Sequence, residues 1–269
     1  MLCLPEQWQA LKCTLIAVCV SISAVYAKDR SSPSPGISRT DQARSKAQCD
    51  PKSFKLVIDV GHTKSSPGAT SARGETEYVF NLKLGKQIQE TLVAAGFSET
   101  YLLVTDAPQR SQLNARSARA NAIKPDLFLS VHHDDVQPRY YEKWNFQGIQ
   151  RSFSDKFSGY SIFVSSGNKH INSSVRFAKS LGAELLDRGL HYSAHHTEDI
   201  PGERRQLVDT HAGVYRYDQL HVLRSVNAPS VLFEAGIITN RQEELVLDTD
   251  ERRQAVSNSV LAAINAFCR

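Results

Sequence analysis

Three apolar runs, each ending in residues suited to metal or acid–base chemistry, set the pattern of this chain. Phe54–Val60 leads into Gly61-His62, Asp126–Val131 into His132-His133, and Ser230–Phe233 into Glu234-Ala235-Gly236. Short continuous apolar runs of this kind read as buried strands. Between the first two, Phe80, Leu84, Ile88 and Leu92 recur at four-residue steps, preceded by Thr76 and followed by Gly96. That spacing predicts an amphipathic helix with a capping Thr at its start and a Gly stop. Tyr160–Val164 predicts a further strand and Val175–Leu190 a further helix. Strand alternating with helix implies a single α/β domain, its mostly parallel central sheet carrying helices on both faces. In such sheets ligands bind beyond the carboxyl ends of the strands, where these polar residues stand.

Catalytic zinc is usually held by three N or O side chains with one position left open, and two His plus one Glu is a known set. His62, Glu77 and His132 supply it. His133 leaves an ambiguity: one strand step turns a side chain to the opposite face, so only one of the two adjacent histidines meets the ion, and periodicity does not say which. Glu77 falls in the first turn of its helix, where the positive end of the dipole favours a carboxylate. Glu234 is then the spare carboxylate, placed for general acid–base work at the metal. His195-His196, with His170, His191, His211 and His221, reads as loop or surface histidine, since no strand precedes that stretch.

These residues resemble a known family, the zinc-dependent N-acetylmuramoyl-L-alanine amidases of bacterial cell-wall remodelling, the third amidase family. Val57-Ile58-Asp59-Val60-Gly61-His62 is similar to its opening strand, with Val60 and Thr63 where the family has Pro and Gly. Pro67-Gly68-Ala69 matches the following loop, and Glu77 with Asn81-Leu82 the helix-opening Glu. Leu113, Arg116 and Asn121 fall where Leu, Arg and Asn usually stand. Asp126–His132 resembles Asp-Leu-Phe-Ile-Ser-Ile-His, followed here by His133-Asp134 in place of a common Ala-Asn, and Val231–Asn240 resembles the closing strand. The resemblance spans residues 54–267. It implies one Zn2+ per chain bound by His62, Glu77 and His132, which settles the histidine pair in favour of His132, and a catalytic role for Glu234. The implied reaction is hydrolysis of the amide between N-acetylmuramic acid and L-alanine in peptidoglycan. Another exported zinc amidohydrolase or carboxypeptidase, or a non-catalytic peptidoglycan-binding protein, are the alternatives, because metal ligands specify chemistry better than substrate.

The remaining chain agrees with export. Lys12, the apolar stretch Cys13–Val25 and a small-residue site at Val25-Tyr26-Ala27 read as a signal peptide, residues 1–27, cleaved near Ala27 to give a periplasmic or secreted protein. Residues 28–50, rich in Ser and Pro, read as a flexible lead-in, and 51–269 as the catalytic domain. Cleavage leaves Cys49 and Cys268 at the two ends of that domain, a pair that fits a disulfide in an oxidising compartment, with two free thiols as the alternative. The net charge of +4 is mild, and no basic cluster is interleaved with aromatics, so nucleic acid is not an expected partner. A monomer is expected. Residues 137–159 hold six aromatics, including Tyr140, Tyr141 and Trp144, where the resembled family has a short connection. The insert is expected to form a lid or specificity surface, or else an aromatic patch on the domain's flank. Some family members carry a regulatory helix that plugs the zinc site; none is recognisable after Val164, so constitutive activity is expected, with an activator protein still conceivable.

Overall fold

The computed structural model describes residues 49–107 and 111–269; the expected signal peptide and nearly all of the expected lead-in lie outside them. In chain order the elements are β1 (Leu56–Val60), α1 (Glu77–Ala94), β2 (Thr100–Leu103), α2 (Gln112–Ile123), β3 (Leu127–Asp134), β4 (Glu142–Phe146), β5 (Ile149–Phe153), β6 (Ser161–Val164), α3 (Ile171–Asp187), β7 (Gln206–Asp209), β8 (Val214–Arg216), α4 (His221–Ser225), β9 (Ser230–Ile237), α5 (Glu243–Leu247) and α6 (Asp250–Phe267). Seven strands form one sheet in the order β2-β1-β3-β9-β6-β8-β7. The pairs β1/β2, β1/β3, β3/β9 and β6/β8 are parallel, while β6/β9 and β7/β8 are antiparallel.

The continuous apolar runs follow from helices covering both faces. On one face α1, α3 and α6 pack Leu84, Phe177 and Val260 against Ile58, Leu129 and Phe233 of the inner strands. On the other, Ala120 of α2 and Leu223 of α4 meet Val57, Phe128 and Leu232. Two strands run further than their apolar letters suggest. β3 continues through His132, His133 and Asp134, and β9 through Glu234 to Ile237, because the two stay paired past the apolar core, with His132 opposite Glu234 and a bulge before Asp134 meets Ile237. Their polar residues therefore lie within strands rather than after them.

Helix α1 begins and ends where the spacing predicts, but its start is held differently. Thr76 makes no side-chain cap bond; instead the Glu77 and Tyr78 N–H groups donate to the carbonyls of Ala69 and Pro67 at 2.9 and 3.0 Å, so the preceding loop satisfies donors that a cap would otherwise take. At the other end Gly96 adopts φ +95°, and Phe97 N–H reaches back to Leu92 O, a Schellman closure.

The aromatic insert is a β4/β5 hairpin. Trp144 Nε1 donates to Ala72 O at 3.0 Å, its ring stacks on Phe146, and the guanidinium groups of Arg73 and Arg241 lie over it. The hairpin thus braces the loop that leads into α1, while Gln137 and Pro138 at the insert's start line a cavity beside the sheet. Cys49 and Cys268 are joined by a disulfide across 219 residues of chain. No helix among the described residues is long and apolar enough to cross a membrane.

Candidate metal centre

β1, α1 and β3 bring His62, Glu77 and His132 to one point at the carboxyl edge of the sheet. His62 Nε2 lies 2.8 Å from Glu77 Oε2, and His132 Nδ1 lies 2.9 Å from Glu77 Oε1. One donor atom from each side chain falls within 4.8 Å of the other two, and two imidazole nitrogens with a carboxylate oxygen suit a zinc ion. Burial favours the neutral form of Glu77, but hydrogen bonds and charge from His132 and His62 outweigh it and hold the carboxyl well below its ordinary range. An ionised carboxylate is what a cation needs there.

The backbone is shaped to allow this approach. His62 itself takes φ +65°, a sparsely populated conformation of the kind stored at functional sites. A Cβ on Gly61 would lie 2.5 Å from the His132 ring, and one on Gly68, whose φ is +80°, would lie 2.3 Å from Glu77 Oε2. Both positions therefore require glycine. Beneath the turn, buried Arg116 from α2 donates to Asp59 Oδ1 at 2.7 Å and to the carbonyls of Val60 and His62, while Ser130 Oγ donates to Asp59 Oδ2 at 2.8 Å. This network fixes the end of β1 that presents His62. Asn81, one turn into α1, donates from Nδ2 to Glu77 Oε1 at 3.1 Å and to Gly61 O.

His133 points away from this cluster. Its ring is buried against Phe80, its Nδ1 lies 2.8 Å from Asn81 Oδ1, and burial pushes its pKa down to about 3, so it is neutral. The strand's alternation accordingly gives the Glu77 side to His132 and the helix-packed side to His133.

Glu234 sits on β9 directly beside His132 in register. Burial, then the negative charges of Asp134 and Glu77, push its carboxyl well above the usual carboxylate range, and its Oε2 is buried without a hydrogen bond. Glu234 faces a cavity of about 360 Å3 with Asp134 and His196, whereas His62 and His132 face one of about 430 Å3. Leu220 and Leu232 contribute to the walls of both, so the two cavities flank the same strand end.

His195 and His196 lie in a loop, as expected, but they are buried rather than at the surface. They are 2% and 7% exposed, with tilted rings whose centroids lie 3.8 Å apart, in a short turn beside β3 and β6. His196 lies between Asp134 Oδ2 and Glu203 Oε2, each at 2.9 Å; burial lowers its pKa, but these two carboxylates outweigh burial and raise it to about 9. Burial lowers that of His195. The only sign in the sequence was two adjacent histidines, because their partners Asp134 and Glu203 are remote in the chain. His170, His191 and His211 are exposed, as expected.

Residues 56–266 match the N-acetylmuramoyl-L-alanine amidase family. A probable cell wall amidase, LytH, of Staphylococcus saprophyticus is 24% identical over 218 residues, covering 80% of this chain and 59% of its own length. A putative N-acetylmuramoyl-L-alanine amidase of Buchnera aphidicola is 23% identical over 239 residues, covering 78% of this chain and 95% of its own. Among solved structures, the N-acetylmuramyl-L-alanine amidase Ami1 from Mycobacterium smegmatis has the same fold, with a TM-score of 0.61 at 18% identity over 82% of this chain and 99% of that one.

Proposed function

Because the chain belongs to the N-acetylmuramoyl-L-alanine amidase family, we propose that it hydrolyses the amide between the lactyl group of N-acetylmuramic acid and the L-alanine of the stem peptide in peptidoglycan. The observation that carries this reading is the convergence of His62, Glu77 and His132 at the sheet edge, with Glu234, whose Oε2 is buried without a hydrogen bond, on the next strand. His62, Glu77 and His132 would hold one Zn2+. When bound there, zinc supplies Lewis-acid polarisation of the carbonyl and acidifies water.

The chain's own groups do the rest. Glu234 accepts the proton of the attacking water and returns it to the leaving amine nitrogen of L-alanine. A cation bound beside it would favour its carboxylate form, opposing the upward push of burial, Asp134 and Glu77. Glu77 balances part of the ion's charge, and Arg116 with Asp59 and Ser130 holds the His62 turn in place. The cavities on either side of the strand end give room for the glycan and stem-peptide sides of the scissile bond.

Export is part of the same reading: residues 1–27 are a signal peptide, 28–50 a lead-in and 51–269 the catalytic domain, acting in the periplasm or outside the cell. The Cys49–Cys268 disulfide and the cell-wall setting named for LytH support an oxidising compartment. Replacement of Glu234 by Ala should abolish turnover, a loss of at least a hundredfold in kcat, while zinc content stays at the wild-type value. Loss of zinc together with activity would move Glu234 into the ligand set and overturn its assigned role.

A further inference from the structure

Sharing a cavity with Glu234 lies a second cluster built like a metal centre. Asp134 leaves the end of β3, and His195 and His196 come from the turn His195–Thr197. The two Nε2 atoms converge on a single carboxylate oxygen, Asp134 Oδ2, at 3.4 Å from His195 and 2.9 Å from His196. One donor atom from each of the three lies within 4.8 Å of the others. Ligand atoms around a tetrahedral zinc ion with its usual bond lengths stand roughly 3.3 Å apart. The cluster is therefore already close to ligand spacing.

The outward sides of these ligands are fixed as well. His195 Nδ1 lies 2.8 Å from Ser193 Oγ, and His196 Nδ1 lies 2.9 Å from Glu203 Oε2, whose partner oxygen Oε1 accepts from Gln137 Nε2 at 2.7 Å. Asp134 Oδ1 accepts the Asp135 N–H at 2.8 Å, which leaves Oδ2 for the two rings. Metal-binding histidines characteristically use the second nitrogen in this manner, bonded to a carboxylate or another acceptor that orients the ring.

An ion pair alone does not account for the arrangement. Both ring nitrogens of His196 are partnered, by Asp134 and Glu203, but in His195 only Nδ1 is: at 2% exposure its Nε2 is buried without a hydrogen bond, aimed at the same Asp134 oxygen. One cation between the two tilted rings serves both imidazoles and the carboxylate. The cavity of about 360 Å3 lined by Asp134, His196 and Glu234 gives the ion a route in.

We propose that Asp134, His195 and His196 form a second divalent-cation site, suited by its two imidazoles and one carboxylate to zinc or a similar first-row ion, with its open position toward the cavity that Glu234 lines. It is independent of the His62–Glu77–His132 assignment. An ion there ties the turn at residues 195–197 to the end of β3 and so fixes one wall of that cavity.

The test is metal stoichiometry of the full chain, depleted with chelator and titrated with Zn2+ by calorimetry, with elemental analysis of the dialysed protein. Wild type should take two equivalents, Glu77→Gln one, His196→Asn one, and the double variant none. A single equivalent in wild type that folded His196→Asn retains, or two retained in folded His196→Asn, overturns the second site, whereas a single equivalent that His196→Asn loses overturns the first. Should His196→Asn fail to fold, Co2+ binding to Glu77→Gln decides: one equivalent with visible absorption bands supports the site, and no bands overturns it. Loss of the first site alone leaves the His196-dependent equivalent in place, so failure of the amidase zinc assignment and failure of this one are read separately.

Discussion

Neighbouring histidines on β3 divide the labour by strand parity: His132 faces Glu77, and His133 is sealed under α1. Replacing His132 by Ala should remove zinc from the first site, whereas His133→Gln should keep it; the reverse result, read by zinc content, would mean that the site is displaced by one residue. Neutral His133 also has a thermodynamic signature. Its folded pKa of about 3 lies below the unfolded 6.5, so between these values the unfolded chain binds more protons than the folded one. The contribution of His133 is therefore nil above about pH 6.5 and grows unfavourable as pH drops from there toward 3, by on the order of a few kcal/mol. Denaturant melts of metal-free protein should show that decline, and His133→Gln should flatten it.

Strands and helices place these residues, and the hairpin and loops then hold them. Trp144 clamps Ala72 and Arg73 in the loop whose carbonyls start α1 and whose Gly68 lies against Glu77. Trp144→Ala should lower stability by about 1–3 kcal/mol through the lost hydrogen bond and ring stacking. It should also weaken zinc binding, measured by competition with a chromogenic chelator; unchanged affinity would confine the hairpin to packing. At this scale much was legible in the sequence. The inner strands and α1 announce themselves because burial on both faces makes β1, β3 and β9 continuously apolar and one helix face periodic. The first cluster was legible because His62 and His132 stand at the ends of two of those apolar runs and Glu77 opens the periodic helix. What stayed hidden depends on tertiary partners: the Thr76 position is capped by distant loop carbonyls, and His195 and His196 are buried by Asp134 and Glu203, neither of which any local period reveals.

For the whole molecule, the sheet order puts β3 and β9 side by side at the centre, so residues a hundred positions apart in the chain meet at one carboxyl edge. The Cys49–Cys268 bridge ties the start of the domain to the end of α6. Replacing both cysteines by Ser should cost roughly 2–5 kcal/mol, since closing so long a loop mainly restricts the unfolded chain. Thermal melts of wild type with and without reductant should show the same loss, and superimposable melts would mean that the bridge contributes nothing in solution.

The central claim, a zinc-dependent amidase acting on peptidoglycan, meets its most direct test in mass spectrometry of purified peptidoglycan digested by the protein with and without a zinc chelator. The account predicts release of intact stem peptides with free L-alanine amino ends, abolished by chelator and restored by Zn2+. Release that persists in chelator, or fragments cut only at other bonds, would contradict it.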